Sequence, residues 1–435
     1  METSYYTPGD GAETVFTVGS STMKFGSGAL GELGEDAASL GMTRVAFFTD
    51  RTVGATQCAA VARASLTNAG LDVAVFDECR VEPTDTSMNA AAKFATDGSF
   101  DGIVSFGGGS VMDTAKAANL LASHGGELTT YCHAPHGLAQ PVPGPLKPHI
   151  ACPTTSGTGA EVTAISVFSL SGRNVKTAIR SNHIKPTVAV VDPQVTETLP
   201  ANVVAFTGFD VLTHALESFT ARPFTQGPRA PSAAQRSPYQ GANPWGDMGS
   251  LEAIRLGGRY LVRAVNDADD TEARQNILFA ATLAGLAFGN VGVHIPHAAS
   301  YGVSSLNHDY VAVGYEAVDP LVPHGLSVVL NAPAAFRFTA PAAPHRHLKA
   351  ALALGADGRD ATPENSGEIL AARLIELMKA SGIPNGLGGV GYTPAHIPEL
   401  ASITGALQRQ LSMSPRPVAE ADLRDIFTDA MRYWD

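Results

Sequence analysis

The chain is short of cysteine, of positive charge and of long apolar runs, and each shortage excludes something. It has four cysteines in 435 residues. Cys58, Cys79, Cys132 and Cys152 are scattered without any C-x-x-C pair, so structural zinc of the thiolate type is excluded and reduced thiols are the simpler expectation. Lys and Arg number 29 against 41 Asp and Glu, a net charge of −12 with no basic run. That balance argues against nucleic acid or an anionic membrane as partner. An anionic ligand must be drawn in by local groups, not by the overall field. No apolar run reaches the roughly 20 residues that cross a bilayer. The opening METSYYTPGDGAET has no basic n-region, no apolar h-region and no Arg-rich amphipathic pattern, so the expected location is the cytoplasm.

What is present suits a large globular enzyme. Apolar residues make up 44% and charged residues 16%, enough for a sizeable core, and the length predicts two domains. From residue 44 the pattern alternates. RVAFFTD (44–50) reads as a buried parallel strand, a helix follows at about 54–69, DVAVFD (72–77) is the next strand, and a turn and helix lead to DGIVSFGGGS (101–110), a strand running into glycines. VMDTAKAANLLAS is then helical, Ile150–Cys152 end another strand, and 172–193 predicts a hairpin and a last strand. This alternation predicts an α/β domain with a parallel sheet. Past Pro193–Pro200 helical patterns dominate, as in 368–384, so the boundary falls near 198: an α/β domain over 1–198 and an all-helical domain over 199–435. Residues 222–247 predict a long Pro/Gly/Ser/Gln loop carrying Arg222, Arg229 and Arg236.

Two stretches suit a ribose-diphosphate. Gly107, Gly108 and Gly109 at a strand-to-helix turn let backbone N–H groups approach a phosphate, and Ser110 can cap the helix. The run is neither G-x-G-x-x-G nor a P-loop, and a plain tight turn explains it equally. In 153–161, Thr154, Thr155, Ser156 and Thr158 set hydroxyls around Gly157 and Gly159. Asp50 at a strand end can accept hydrogen bonds from an adenosine ribose, which favours NAD over NADP, or is an ordinary turn residue. Lys176 reaches a phosphate or the nicotinamide, or is a surface lysine.

The stretch 205–219 is a helix bracketed by Pro200 and Pro223. Asp210 and His214 stand four apart, on one face of a helix that is otherwise apolar and so buried. They either hydrogen-bond each other or share a divalent metal. Further ligands are available in GVHIPHAASYG (292–302) and in Pro-His-Gly at 323–325, and one carboxylate with imidazoles suits Fe²⁺ or Zn²⁺.

Taken together, GGGSVMDTAK (107–116), PTTSGTGAE (153–161), GFDVLTHALE (208–217), PHAASYG (296–302) and PHGLS (323–327) resemble the iron-containing, group III alcohol dehydrogenases along nearly the whole chain. Within that family the sequence is most similar to the hydroxyacid–oxoacid transhydrogenases. The resemblance implies an N-terminal dinucleotide-binding α/β domain and an all-helical C-terminal domain, an architecture related to dehydroquinate synthase. It implies Asp210, His214, His297 and His324 as metal ligands, with His294 outside the set. It implies NAD bound by Asp50, Gly108, Gly109, Ser110, Thr154, Thr155, Thr158 and Lys176. Tyr301 stands where many members carry a second histidine used in proton relay. His308, in a long insert before His324, is a relay candidate or a plain loop histidine.

The implied activity is oxidation of 4-hydroxybutyrate to succinate semialdehyde coupled to reduction of 2-oxoglutarate to 2-hydroxyglutarate through bound NAD. The rivals are an ordinary NAD-dependent alcohol dehydrogenase that releases NADH, a dehydroquinate synthase-like lyase, and a non-catalytic protein on the same fold. The partner is a small hydroxyacid, oxoacid or alcohol, and family members are usually dimers or larger. Both substrates are anionic, which makes Arg222, Arg229 and Arg236 candidates to meet them.

Overall fold

The computed structural model describes Tyr5 and residues 7–134, 136–172, 175–306, 309–315 and 320–435. Its strands are β1 (Thr22–Phe25), β2 (Arg44–Phe48), β3 (Asp72–Phe76), β4 (Gly102–Gly107), β5 (His149–Pro153), β6 (Ile165–Leu170), β7 (Val175–Arg180) and β8 (Val188–Val191). Six of them pair in parallel in the order β1-β8-β5-β4-β2-β3. Every residue of β4 and β5 is buried, which is why these segments read as unbroken apolar runs. From β2 the chain moves outward to β3. From β4 it moves the other way, through β5 to β8. Neighbouring β2 and β4 therefore mark the point where the winding reverses, and in such sheets ligands bind at the carboxyl ends of those strands. β6 and β7 form a separate antiparallel hairpin.

These strands belong to one compact unit, Gly19–Thr198; the other comprises Met1–Val18 with Leu199–Asp435. The first 18 residues thus differ from the expected grouping with the α/β domain. They are held by the helical unit's own loop: Glu13 accepts the Ala230 backbone N–H at 3.2 Å and Gln240 accepts that of Thr17 at 2.8 Å. Among the described residues of 199–435, the regular elements are helices.

The helix Ala201–Thr220 runs through the core of this unit and is buried from Val203 on, apart from Thr207. It packs against Pro244–Asn266 at glycine contacts. A Cβ on Gly208 would meet Leu261 Cδ1 at 2.3 Å, and one on Gly257 would meet Leu212 Cδ2 at 2.3 Å. The expected loop 222–247 ends early: Asn243 caps Pro244–Asn266, accepting the Gly246 N–H, with Pro244 first in the helix. The expected hairpin also starts earlier, at Ile165. Among the described residues no single helix is long and apolar enough to cross a membrane.

Candidate metal centre and nucleotide loops

Asp210, His214 and Glu217 follow one another along one face of Ala201–Thr220, at spacings of four and three. Two short helices bring the other groups. Ile295–Leu306 carries His297 in its first turn, and His324–Val329 begins with His324. His324 reaches the site because residue 325 has no side chain. A Cβ on Gly325 would lie 2.0 Å from Phe206 O and 3.0 Å from Asp210 Cβ. The two helices touch backbone to backbone there.

Three imidazole nitrogens surround one carboxylate oxygen. From Asp210 Oδ1, His297 Nε2 lies at 3.4 Å, and His214 Nδ1 and His324 Nε2 at 3.7 Å each. Donor atoms of Asp210, His297 and His324 lie within 4.8 Å of one another, a spacing that can hold a metal ion. His214 stacks on His297, ring centroids 4.3 Å apart, and on Phe288 at 4.0 Å. Asp210 Oδ1, His214 Nδ1 and His297 Nε2 are all buried with no hydrogen-bond partner. Orphaned polar atoms are costly, and those of Asp210 and His297, grouped with a His324 nitrogen, fit a cation as their common partner, with His214 beside that group. One carboxylate and three imidazoles are the donor set that Fe²⁺ or Zn²⁺ accepts.

The charges agree. Burial pushes the His214 imidazole down to about 3, so it presents a neutral ring. Burial would raise the Asp210 carboxyl, but the surrounding histidines outweigh it and hold it well below the usual carboxylate range. Burial pulls His297 down while Glu217 and Asp210 outweigh it and lift it to about 9. The pocket thus favours positive charge at His297, and a proton and a metal compete for one lone pair.

Glu217 is the residue the motif reading overlooked. One of its oxygens accepts from His297 Nδ1, and the other accepts the backbone N–H groups of His294 at 2.8 Å and His297 at 3.2 Å. With Nδ1 engaged, the ring turns Nε2 toward Asp210. The spacing of Glu217 after His214 was the available signal. His294 is fully buried but points elsewhere, its Nε2 3.2 Å from Thr220 Oγ1. Tyr301, half-buried, lies one turn after His297. His308 lies outside the described residues. Arg222 and Arg236 line a cavity whose walls include none of the four candidate ligands, and exposed Arg229 is not among its lining.

In the α/β unit, the glycine run and the hydroxyl loop meet. β4 and β5 pair side by side up to Gly107 and Pro153, and the Thr154 N–H donates to Gly107 O at 3.0 Å. A Cβ on Gly109 would meet Thr158 Oγ1 and Cγ2 at 2.7 Å each, and one on Gly108 would meet Thr155 Oγ1 at 3.5 Å. Thr154 Oγ1 is buried without a partner. The helix Gly109–His124 is capped by Gly108, not by the expected Ser110. Gly108 is extended, and Ser110 already lies in the first turn, with its carbonyl accepting from Thr114 Oγ1. Asp50, at the end of β2, accepts the Val53 N–H at 2.8 Å. Lys176 on β7 pairs with Glu82 at 2.5 Å.

Known proteins resemble the chain along most of its length. Residues 20–193 match the model of the iron-containing alcohol dehydrogenases, and residues 238–431 match that of the family's C-terminal part. The mitochondrial hydroxyacid-oxoacid transhydrogenase of Bos taurus is 43% identical over 428 residues, 98% of this chain and 92% of that one. The chain belongs to the iron-containing alcohol dehydrogenase family.

A further relative within the family's range, the probable mitochondrial hydroxyacid-oxoacid transhydrogenase of Dictyostelium discoideum, is 41% identical over 98% of this chain and 81% of its own. Among solved structures, a 1,3-propanediol oxidoreductase superposes with a TM-score of 0.84 at 28% identity, covering 96% of this chain and all of that one. A sulfoacetaldehyde reductase from Bifidobacterium kashiwanohense, in complex with NAD+, gives 0.79 at 25% identity, covering 96% of this chain and 99% of its own. The α/β-plus-helical architecture and the oxidoreductase activity follow from membership in this family. The expected cytoplasmic location is corrected: these transhydrogenase relatives are mitochondrial.

Proposed function

We propose that the protein is a hydroxyacid–oxoacid transhydrogenase that oxidises 4-hydroxybutyrate to succinate semialdehyde and reduces 2-oxoglutarate to 2-hydroxyglutarate. The observation that carries its metal chemistry is the grouping of donor atoms of Asp210, His297 and His324 within 4.8 Å of one another, with orphaned buried atoms on Asp210 and His297. The choice of substrates rests on the 43% identity to relatives bearing that name.

Asp210, His214, His297 and His324 would hold a divalent ion, Fe²⁺ or Zn²⁺, which when bound supplies Lewis-acid polarisation of a substrate oxygen. Glycines 108 and 109, Ser110, Thr154, Thr155 and Thr158 would hold NAD, which supplies the hydride chemistry. Asp50 would accept from its ribose, and Lys176, partnered by Glu82, would contact the bound cofactor. The chain's own residues position and exclude. Buried Asp210 and His214 keep water from the donor atoms, and Glu217 fixes the orientation of His297. Half-buried His324 is the exposed side of the quartet and so the side from which substrate approaches. The two half-reactions exchange two hydrogens, leaving no net oxidant or reductant. The protein is read as a homo-oligomer, as its family resemblance implies.

Metal-loaded protein given 4-hydroxybutyrate without free NAD tests this. Succinate semialdehyde forming over many turnovers only when 2-oxoglutarate is present supports it. Turnover that requires added NAD and releases NADH would instead make the protein an ordinary dehydrogenase.

A further inference from the structure

The cavity lined by Arg222, Arg236 and Arg409 with Glu13, Ser237 and Tyr239 among others has a volume of about 250 Å³ and lies in the helical unit. The charged residues of this lining are Arg222, Arg236, Arg409 and Glu13, in a chain of net charge −12. Glu13 is already satisfied: it accepts the backbone N–H groups of Thr14, Val15 and Ala230, and Arg236 donates to it at 3.3 Å. Arg222 is held at one end only. Its Nε donates to Ser412 O at 2.5 Å, while its Nη1 is buried with no partner. A buried cationic N–H without an acceptor is costly, and a guanidinium is shaped to grip a carboxylate or phosphate with two parallel bonds.

The cavity is set apart from the metal centre. Its lining includes none of Asp210, His214, His297 and His324. Phe288 stacks on His214 and packs in one cluster with Tyr239 and Met413, which line the cavity. Phe288 is therefore the aromatic link between the two.

We propose that this cavity is a second ligand site that takes a small oxyanion, a carboxylate or a phosphate, on Arg222 and Arg409. Such a ligand supplies the acceptor that Arg222 Nη1 lacks.

Titration calorimetry on the full-length, metal-loaded protein tests this, with succinate in one arm and inorganic phosphate in the other, at fixed ionic strength. At least one arm is expected to show a saturable site, and the tighter arm names the ligand chemistry. Arg222→Met and Arg409→Met are expected to weaken that binding at least tenfold. Arg409 is solvent-exposed, so its variant decides the matter if the Arg222 variant fails to fold. Asp210→Asn, which removes a proposed metal ligand, is expected to leave the affinity within twofold. The proposal is overturned by the absence of saturable binding in both arms, by binding that both arginine variants retain, or by binding that vanishes in the Asp210 variant. These outcomes are independent of which reaction the metal centre performs.

Discussion

Glu217 accepts a hydrogen bond from His297 Nδ1 and stands seven residues after Asp210 on the same buried helix. A carboxylate behind a ligating histidine fixes its tautomer and raises its basicity, and losing such a partner typically costs about 10–100-fold in metal affinity. Glu217→Gln keeps the size but removes the charge. We expect its affinity for Fe²⁺ or Zn²⁺, read by competition with a chelator, to fall by about that factor. An unchanged affinity would reduce Glu217 to a packing role.

Gly325 is the second control on the site. Gly325→Ala would drive a Cβ into Phe206 O and Asp210 Cβ, and overpacking of this kind costs about 1–3 kcal/mol. The strain acts on the helix that opens with His324. Denaturant unfolding should show the loss of stability, and metal content after purification should fall with it. Wild-type values for both would mean that His324 is not placed by this contact.

Gly109→Ala should act on the other unit alone. Its Cβ would displace Thr158 from the glycine loop, where the resemblance places the NAD phosphates. Binding of NAD, followed by fluorescence titration, should weaken by tenfold or more while metal content stays unchanged. Equal affinity would move the nucleotide away from this loop.

Two histidines outside the ligand quartet predict the acid limit. His149 and His347 are fully buried, and burial pushes each down to about 3. In the unfolded chain each titrates near 6.5. Between those values the unfolded state binds the proton and the folded state does not. The contribution of these two rings is therefore complete above about pH 7 and falls as the pH drops below 6.5, by up to about 1.4 kcal/mol per pH unit for each histidine. Urea unfolding of chelator-treated protein from pH 7.5 to 4.5 should show this slope, and His347→Gln should reduce it. A flat profile would contradict the burial of both rings.

Much of this was legible in the sequence, for identifiable reasons. RVAFFTD and DGIVSFGGGS are buried on both faces of a parallel sheet, so composition alone marked β2 and β4. Asp210 and His214 were legible because polar groups in an apolar helix need partners. What one helix meets across the fold was not. Glu217 bonds to His297, 80 positions on, and no local pattern encodes that pairing. Asn243-Pro244 reads as loop because Pro and Gly crowd that stretch, although a capping Asn before Pro is also how a helix begins. Ser110 gave way to Gly108 as cap because the glycine's extended backbone carries the chain directly out of β4.

The central claim is that hydride passes from one substrate to the other without leaving the protein. Metal-loaded protein supplied with 4-hydroxybutyrate deuterated at C4, unlabelled 2-oxoglutarate and no free NAD tests it most directly. The account predicts that each 2-hydroxyglutarate formed carries deuterium at C2. Unlabelled 2-hydroxyglutarate, or none until NAD is added, would contradict it.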